Sequence, residues 1–255
     1  MGDVLLLIPI MVAVFIVSFA LIGVLAVVEG ISLAELSDGD AALPGSMIVV
    51  PTLIQQATWF AWPFVVSHWK GLGPAADWGW SFRWVDLGIG VGVAMIGMFA
   101  AGLVGLAVEG LVGLEDDASA ENTALVADLE GTPWLWGIVF VVVIAAPFSE
   151  ELLFRGLILR TVAKRWGTVV GVVVSLLGFV PIHFADGGIL DGRGVISDGQ
   201  VVLWSSIATL GLVLAVAAVA TGRLASSIVA HMIINAAGVA AALGLWGELG
   251  AGSGG

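Results

Sequence analysis

Residues 134–157 read WLWGIVFVVVIAAPFSEELLFRGL. Sixteen positions, 134–149, pass without a charge before Glu150, Glu151 and Arg155 arrive together inside an otherwise apolar run. As a helix the stretch rises about 36 Å at 1.5 Å per residue, enough to cross about 30 Å of hydrocarbon. A helix is the expected form because it satisfies its own backbone polar groups in lipid. Beyond the stretch, Arg160, Lys164 and Arg165 mark where the chain must reach water.

The rest of the chain repeats the pattern. Sixty per cent of the 255 residues are hydrophobic and 11% are charged, against about 25% charged in a soluble domain. Seven spans are expected, at 4–28, 46–67, 87–108, 134–157, 168–185, 200–220 and 224–246. The expected fold is all-α, a polytopic transmembrane helical bundle. It forms a single transmembrane domain over 1–249 with a motif-bearing core at 134–246. The Gly- and Ser-rich tail 250–255 is expected to be disordered. The first run is too long for a signal h-region and is read as a span. The second span carries Gln55, Gln56, Pro51 and Pro63 and is the least apolar.

Several classes fall away on composition. There are no cysteines, so disulfides, thiolate metal sites and a Cys nucleophile are excluded. Tyr is absent too, leaving 11 Trp and 11 Phe to build the interfacial aromatic belts. A net charge of −12 argues against nucleic acid as a partner and suits a high-salt environment.

With seven alternating spans, Lys70, Arg83, Arg155, Arg160, Lys164, Arg165 and Arg223 fall on one side, and Arg193 falls on the other. The positive-inside rule makes that side cytoplasmic, with the N-terminus inside and the C-terminus outside the cell membrane. Glu29, Glu35, Asp38, Asp40 and the acidic run from Glu115 to Glu130 fall outside. The acidic run reads as a solvated loop. Gly97, Ala101 and Gly105 lie four apart, a spacing that lets helices approach closely. His68, beside Trp69 and Lys70, reads as interfacial.

Ionisable groups inside hydrocarbon are costly and usually functional. Here they are Glu150, Glu151, Arg155, His183 and His231, joined by Asn235. The fourth and fifth spans form a hairpin turning near Gly167. Glu150 lies 17 residues before that turn and His183 lies 16 after it, so the two share one depth in an antiparallel pair. Glu150 is then about 15 Å below the basic interface, and His231, eight residues past Arg223, about 12 Å. The site is therefore expected between the fourth, fifth and seventh spans.

Spacing sorts the roles. Glu151 and Arg155, four apart, share a helical face and can pair. Glu150 is turned about 100° away and has no evident cation partner. A desolvated Glu beside a His is a plausible general base for water. His231 and Asn235, also four apart, can both donate to a developing oxyanion. Pro147 and Pro181 free backbone carbonyls and can kink their helices, opening a path for water.

Two His and a Glu, here Glu150, His183 and His231, also make a possible zinc set, although the ligands come from three helices without a His-Glu-x-x-His. Polar groups can also simply glue helices together, but glue does not need four of them converging at one depth. Serine hydrolase chemistry is disfavoured, because Ser149 lies in no Gly-x-Ser-x-Gly.

These residues resemble a known family. Glu150-Glu151-Leu-Leu-Phe-Arg155 resembles the Glu-Glu-x-x-x-Arg motif of the CPBP family of CAAX proteases and bacteriocin-processing enzymes. Phe179-Val-Pro-Ile-His183 resembles its Phe-x-x-x-His motif, and His231-Met-Ile-Ile-Asn235 its His-x-x-x-Asn/Asp motif. The three occur in family order between Pro147 and Asn235. The resemblance implies an integral-membrane endopeptidase in which Glu150 and His183 activate water. It makes His231 and Asn235 the oxyanion hole, and Glu151, Arg155 and Phe179 supporting residues. It implies a membrane-associated or prenylated peptide or protein as substrate and the lipid bilayer as surroundings. No cofactor is expected, with zinc the alternative. The competing readings are a non-enzymatic membrane protein, binding peptides or conferring immunity on the same scaffold, and a small secondary transporter.

Overall fold

The structure, a computed structural model, describes residues 7–32, 43–112, 126–186 and 198–245. Among them there is no strand. Helix α1 spans Leu7–Glu29 and α2 Gly45–Lys70; a short α3 spans Pro74–Trp78, and α4 spans Val85–Val112. Helix α5 runs Trp134–Trp166. Helix α6, Thr168–Phe179, continues into a 3-10 turn over Val180–Asp186. Helices α7, Asp198–Thr221, and α8, Ala225–Ala242, complete the bundle.

The seven long segments fall on the seven expected spans. Helices α1, α4, α5, α7 and α8 are long and apolar enough to cross a bilayer, and the shorter apolar run of α6 extends to His183. The 26 residues of α2 reach about 39 Å, ample for a crossing. Two differences stand out. His183 does not sit on a regular helix but in the 3-10 turn that includes Pro181, because proline cannot supply the N–H that an α-helix requires there. The last helix ends at Ala242, where Gly244 takes a left-handed turn, rather than near 246.

Packing explains the arrangement. Helix α4 lies against α7 and α8. Its small residues permit the approach: a Cβ at Gly105 would meet Ser206 Oγ at 3.2 Å, and one at Gly97 would meet Leu210 at 3.3 Å. Ala101 is buried between them. On the outward faces, large apolar side chains stand open, Phe99 at 71% and Val169 at 77% exposure. Such apolar surface is a liability in water and ordinary against lipid. The chain is an integral-membrane protein.

One end of the bundle is tied by polar contacts. Arg223 donates from Nε and Nη2 to both carboxylate oxygens of Asp86 at 2.6–3.1 Å. The Leu224 N–H donates to the Gly79 carbonyl at 3.0 Å, and Arg160 Nη2 to the Gly222 carbonyl at 2.9 Å. Lys70, Arg83, Lys164 and Arg165 belong to helix ends at the same side. His68 is exposed beside them. Glu29 accepts a hydrogen bond from Ser46 Oγ at 3.0 Å. Glu35, Asp38, Asp40, Arg193, most of the 115–130 acidic run and the tail 250–255 lie outside the described residues; Asp128 and Glu130 are exposed.

Candidate active site

Helix α5 is not a uniform α-helix. It widens into π-helical turns at Val141–Ala145 and again at Glu151–Ile158, with an α-helical stretch, Ala146–Glu150, between them. π-turns concentrate at functional sites because they re-aim side chains without breaking the helix. Proline supplies the local reason. In the first widened turn the Ala146 N–H bonds to the Val141 carbonyl, five residues back. The next donor in that register belongs to Pro147, which has none. The Val142 carbonyl is met instead from α8, by Asn235 Nδ2 at 2.8 Å.

The second widened turn carries the charges. Glu151 and Arg155 are completely buried. Arg155 Nη1 lies 3.1 Å from Glu151 Oε1, the pairing that the spacing predicts. Arg155 Nη2 donates to the Gly211 carbonyl on α7 at 3.0 Å, and its guanidinium stacks 4.2 Å over the Phe179 ring. Gly211 is required by this approach, since a Cβ there would come within 3.2 Å of Arg155 Nη2 and 3.0 Å of Phe179. The arginine thus sits among a carboxylate, a carbonyl and a ring face, which together offset the cost of holding it in the membrane.

His231 joins the two glutamates. Its Nδ1 donates to Glu151 Oε1 at 3.1 Å, and its Nε2 lies 3.9 Å from Glu150 Oε2. The expectation that Glu150 faces away from Glu151 is corrected here, since His231 stands between the two carboxylates. A rotation of 100° per residue describes a regular α-helix. At the junction with the π-turn, both carboxylates reach one imidazole on α8. His183 Nδ1 donates to the Phe179 carbonyl at 3.1 Å, and its ring lies 4.9 Å from that of Phe179. Phe179 therefore touches both Arg155 and His183.

Two cavities meet at this cluster. One, of about 350 Å³, is lined by Glu150, Phe179, His183, His231 and Asn235, with apolar side chains of α7 and α8. The other, of about 570 Å³, lies toward α1 and α2 and is lined by Phe15, Thr52, Gln55, Gln56 and Trp59. Glu150 and His183 line both. Gln56 and Ser149, buried in contact with each other, support the α2 side. Their part was not legible from spacing, although two glutamines in an apolar span were its signal. Gly211 had none.

All seven sequence-expected residues, Glu150, Glu151, Arg155, Phe179, His183, His231 and Asn235, thus lie in one cluster contributed by α5, the end of α6, and α8. Among the described residues no three His, Asp or Glu side chains are placed to hold a metal ion together. The zinc set of Glu150, His183 and His231 is therefore not assembled in this arrangement.

Residues 132–237 match the family model described as type II CAAX prenyl endopeptidase Rce1-like. No curated protein and no solved structure matches the chain. The matched stretch begins just before α5, ends on α8, and contains every side chain of the cluster. It bears out the resemblance to the CPBP family over residues 132–237, where the chain is similar to membrane CAAX endopeptidases.

Proposed function

We propose that the chain hydrolyses a peptide bond of a membrane-associated or prenylated substrate with a water activated by Glu150. The observation that carries this reading is the single cavity onto which Glu150, His183, His231 and Asn235 converge. Glu150, with His183 beside it, orients a water and takes its proton. The resulting hydroxide adds to the carbonyl carbon. The developing oxyanion is met by His231 Nε2–H and by the Asn235 amide, of whose two N–H groups one is anchored to Val142 and the other is available. Collapse breaks the C–N bond, and Glu150 returns its proton to the leaving amine.

His231 donates from Nδ1 to Glu151, so a proton on Nε2 as well makes the ring an imidazolium. The ring then stands between Glu151 on its Nδ1 side and Glu150, 3.9 Å from Nε2, on the other. The apolar walls of both cavities suit a lipid-modified or membrane-embedded peptide. Residues 1–249 act as one transmembrane unit. The end rich in Lys and Arg faces the cytoplasm, with the N-terminus inside and the C-terminus outside.

The test is cleavage of a panel of prenylated and membrane-associated peptides by the purified, detergent-solubilised protein, with Glu150→Gln in parallel. Cleavage by the wild type that disappears in the folded variant supports the reading. A variant that cleaves as well as the wild type removes Glu150 from the chemistry. Peptide binding without cleavage by either would favour a non-enzymatic peptide-binding protein.

A further inference from the structure

Behind the cluster, at the basic end of the bundle, lies a third cavity of about 340 Å³ that the proposed chemistry does not use. Its polar lining comprises Arg155, Arg160, Lys164, Thr168 and Asp77. Three of these side chains are cationic. Lys164 is exposed and makes no ion pair or hydrogen bond among the described residues. Arg160 spends one N–H on the Gly222 carbonyl and has further donors on its fork. At the inner wall Arg155 is wholly buried, and its Nε has no hydrogen-bond partner. Thr168 opens α6 behind Gly167 with no side-chain cap, so the first N–H groups of that helix lack intrahelical partners. The single anion of the lining is already engaged: Asp77 Oδ2 accepts from Ser67 Oγ, Leu72 N and Gly73 N at 2.7–3.1 Å.

The position of the cavity indicates what fills it. It sits where α5 ends and α6 begins, among exposed Trp69, Trp84 and Trp166 at neighbouring helix ends. An aromatic belt beside clustered Lys and Arg marks the level of the lipid headgroups. The rest of the wall is apolar, from Leu159, Ala163, Ala218 and Val219. We propose that this cavity is a binding site for a phosphate group, that of an anionic phospholipid headgroup, held by Lys164, Arg160 and the start of α6. The apolar wall faces the glycerol and the first acyl carbons. The site is separate from the proteolytic cavity, but Arg155 lines it while holding Glu151 on its other side.

The experiment measures binding of short-chain phosphatidylglycerol, phosphatidylcholine and inorganic phosphate to the intact detergent-solubilised protein, by native mass spectrometry and by the shift in Tm. Wild type is compared with Lys164→Glu and Arg165→Glu. Arg165 is the adjacent control, an exposed cation outside the cavity lining. One lipid-facing cation contributes roughly a fivefold factor, so reversal at 164 is expected to weaken phosphatidylglycerol about tenfold or more. Arg165→Glu is expected to stay within about twofold of wild type. Phosphatidylcholine, whose phosphate is neutralised by its own choline, is expected to bind weakly. If inorganic phosphate alone reproduces the shift with the same dependence on Lys164, the anion site stands and its source is soluble phosphate. Equal binding of the two lipids, or equal loss in the two variants, would overturn the proposal.

Discussion

His231 Nδ1 and Glu151 Oε1 stand 3.1 Å apart, and the same carboxylate oxygen lies 3.1 Å from Arg155 Nη1. Glu151 therefore orients a histidine on α8 and pairs with an arginine on its own helix. The imidazole it holds has its second nitrogen 3.9 Å from Glu150. Two adjacent glutamates thus have different surroundings. One is held by a hydrogen bond from His231 and an ion pair with Arg155, and the other lines both cavities.

Glu150→Gln keeps the shape of the side chain and removes its basicity. Proteolysis is expected to fall by roughly 10²–10⁴-fold, the usual share of a general base. Thermal stability should stay close to wild type, because Glu150 has no arginine partner whose charge would be stranded. Single-turnover rates alongside a melting curve separate the two effects.

Glu151→Gln should behave differently, since it leaves Arg155 as a buried cation without its counter-charge. Breaking such a pair costs about 3–5 kcal/mol, and activity should fall with stability. Adding Arg155→Met to Glu151→Gln is expected to recover much of the Tm but not the cleavage, because His231 still lacks its carboxylate. Recovery of both would show that Glu151 serves packing alone.

Asn235→Ala strands the Val142 carbonyl beside Pro147, at a cost of about 1–3 kcal/mol. If the second amide N–H serves the oxyanion, kcat should fall roughly 10²–10³-fold with little change in KM. A rise in KM at constant kcat would instead assign Asn235 to substrate binding.

Gly211→Val probes the closest backbone approach to the site. Even a single Cβ comes within 3.0–3.2 Å of Leu176, Phe179 and Arg155. The extra methyls are expected to cost about 1–3 kcal/mol by overpacking, and to lower cleavage by shifting the arginine off its carbonyl. Gly102→Val, on the same bundle with nothing within 4 Å of its Cβ, is the control expected to melt near the wild type.

A strong zinc chelator should leave cleavage intact. The readout is the rate after dialysis against chelator and after adding zinc back. Loss on chelation with recovery on zinc would require Glu150, His183 and His231 to regroup around a metal.

Much of this protein follows from one-dimensional facts. Apolar blocks of about 20 residues can only be satisfied by helices in lipid, so the seven segments, and the shared depth of Glu150 and His183, could be read by counting from Gly167. Glu151 and Arg155 paired as an interval of four predicts. Counting fails where the helix stops being regular. Pro147 removes a donor, α5 widens, and a carbonyl left over on α5 is claimed by Asn235 from a helix 93 residues away in sequence. The reach of both glutamates to His231, the contact between Gln56 and Ser149, and the need for glycine at 211 are likewise relations between helices. Amino-acid type and spacing determine how a segment lies along its own axis. Which faces meet, and how far a π-turn re-aims a side chain, depends on packing among helices that share no local period, and only the tertiary structure decides it.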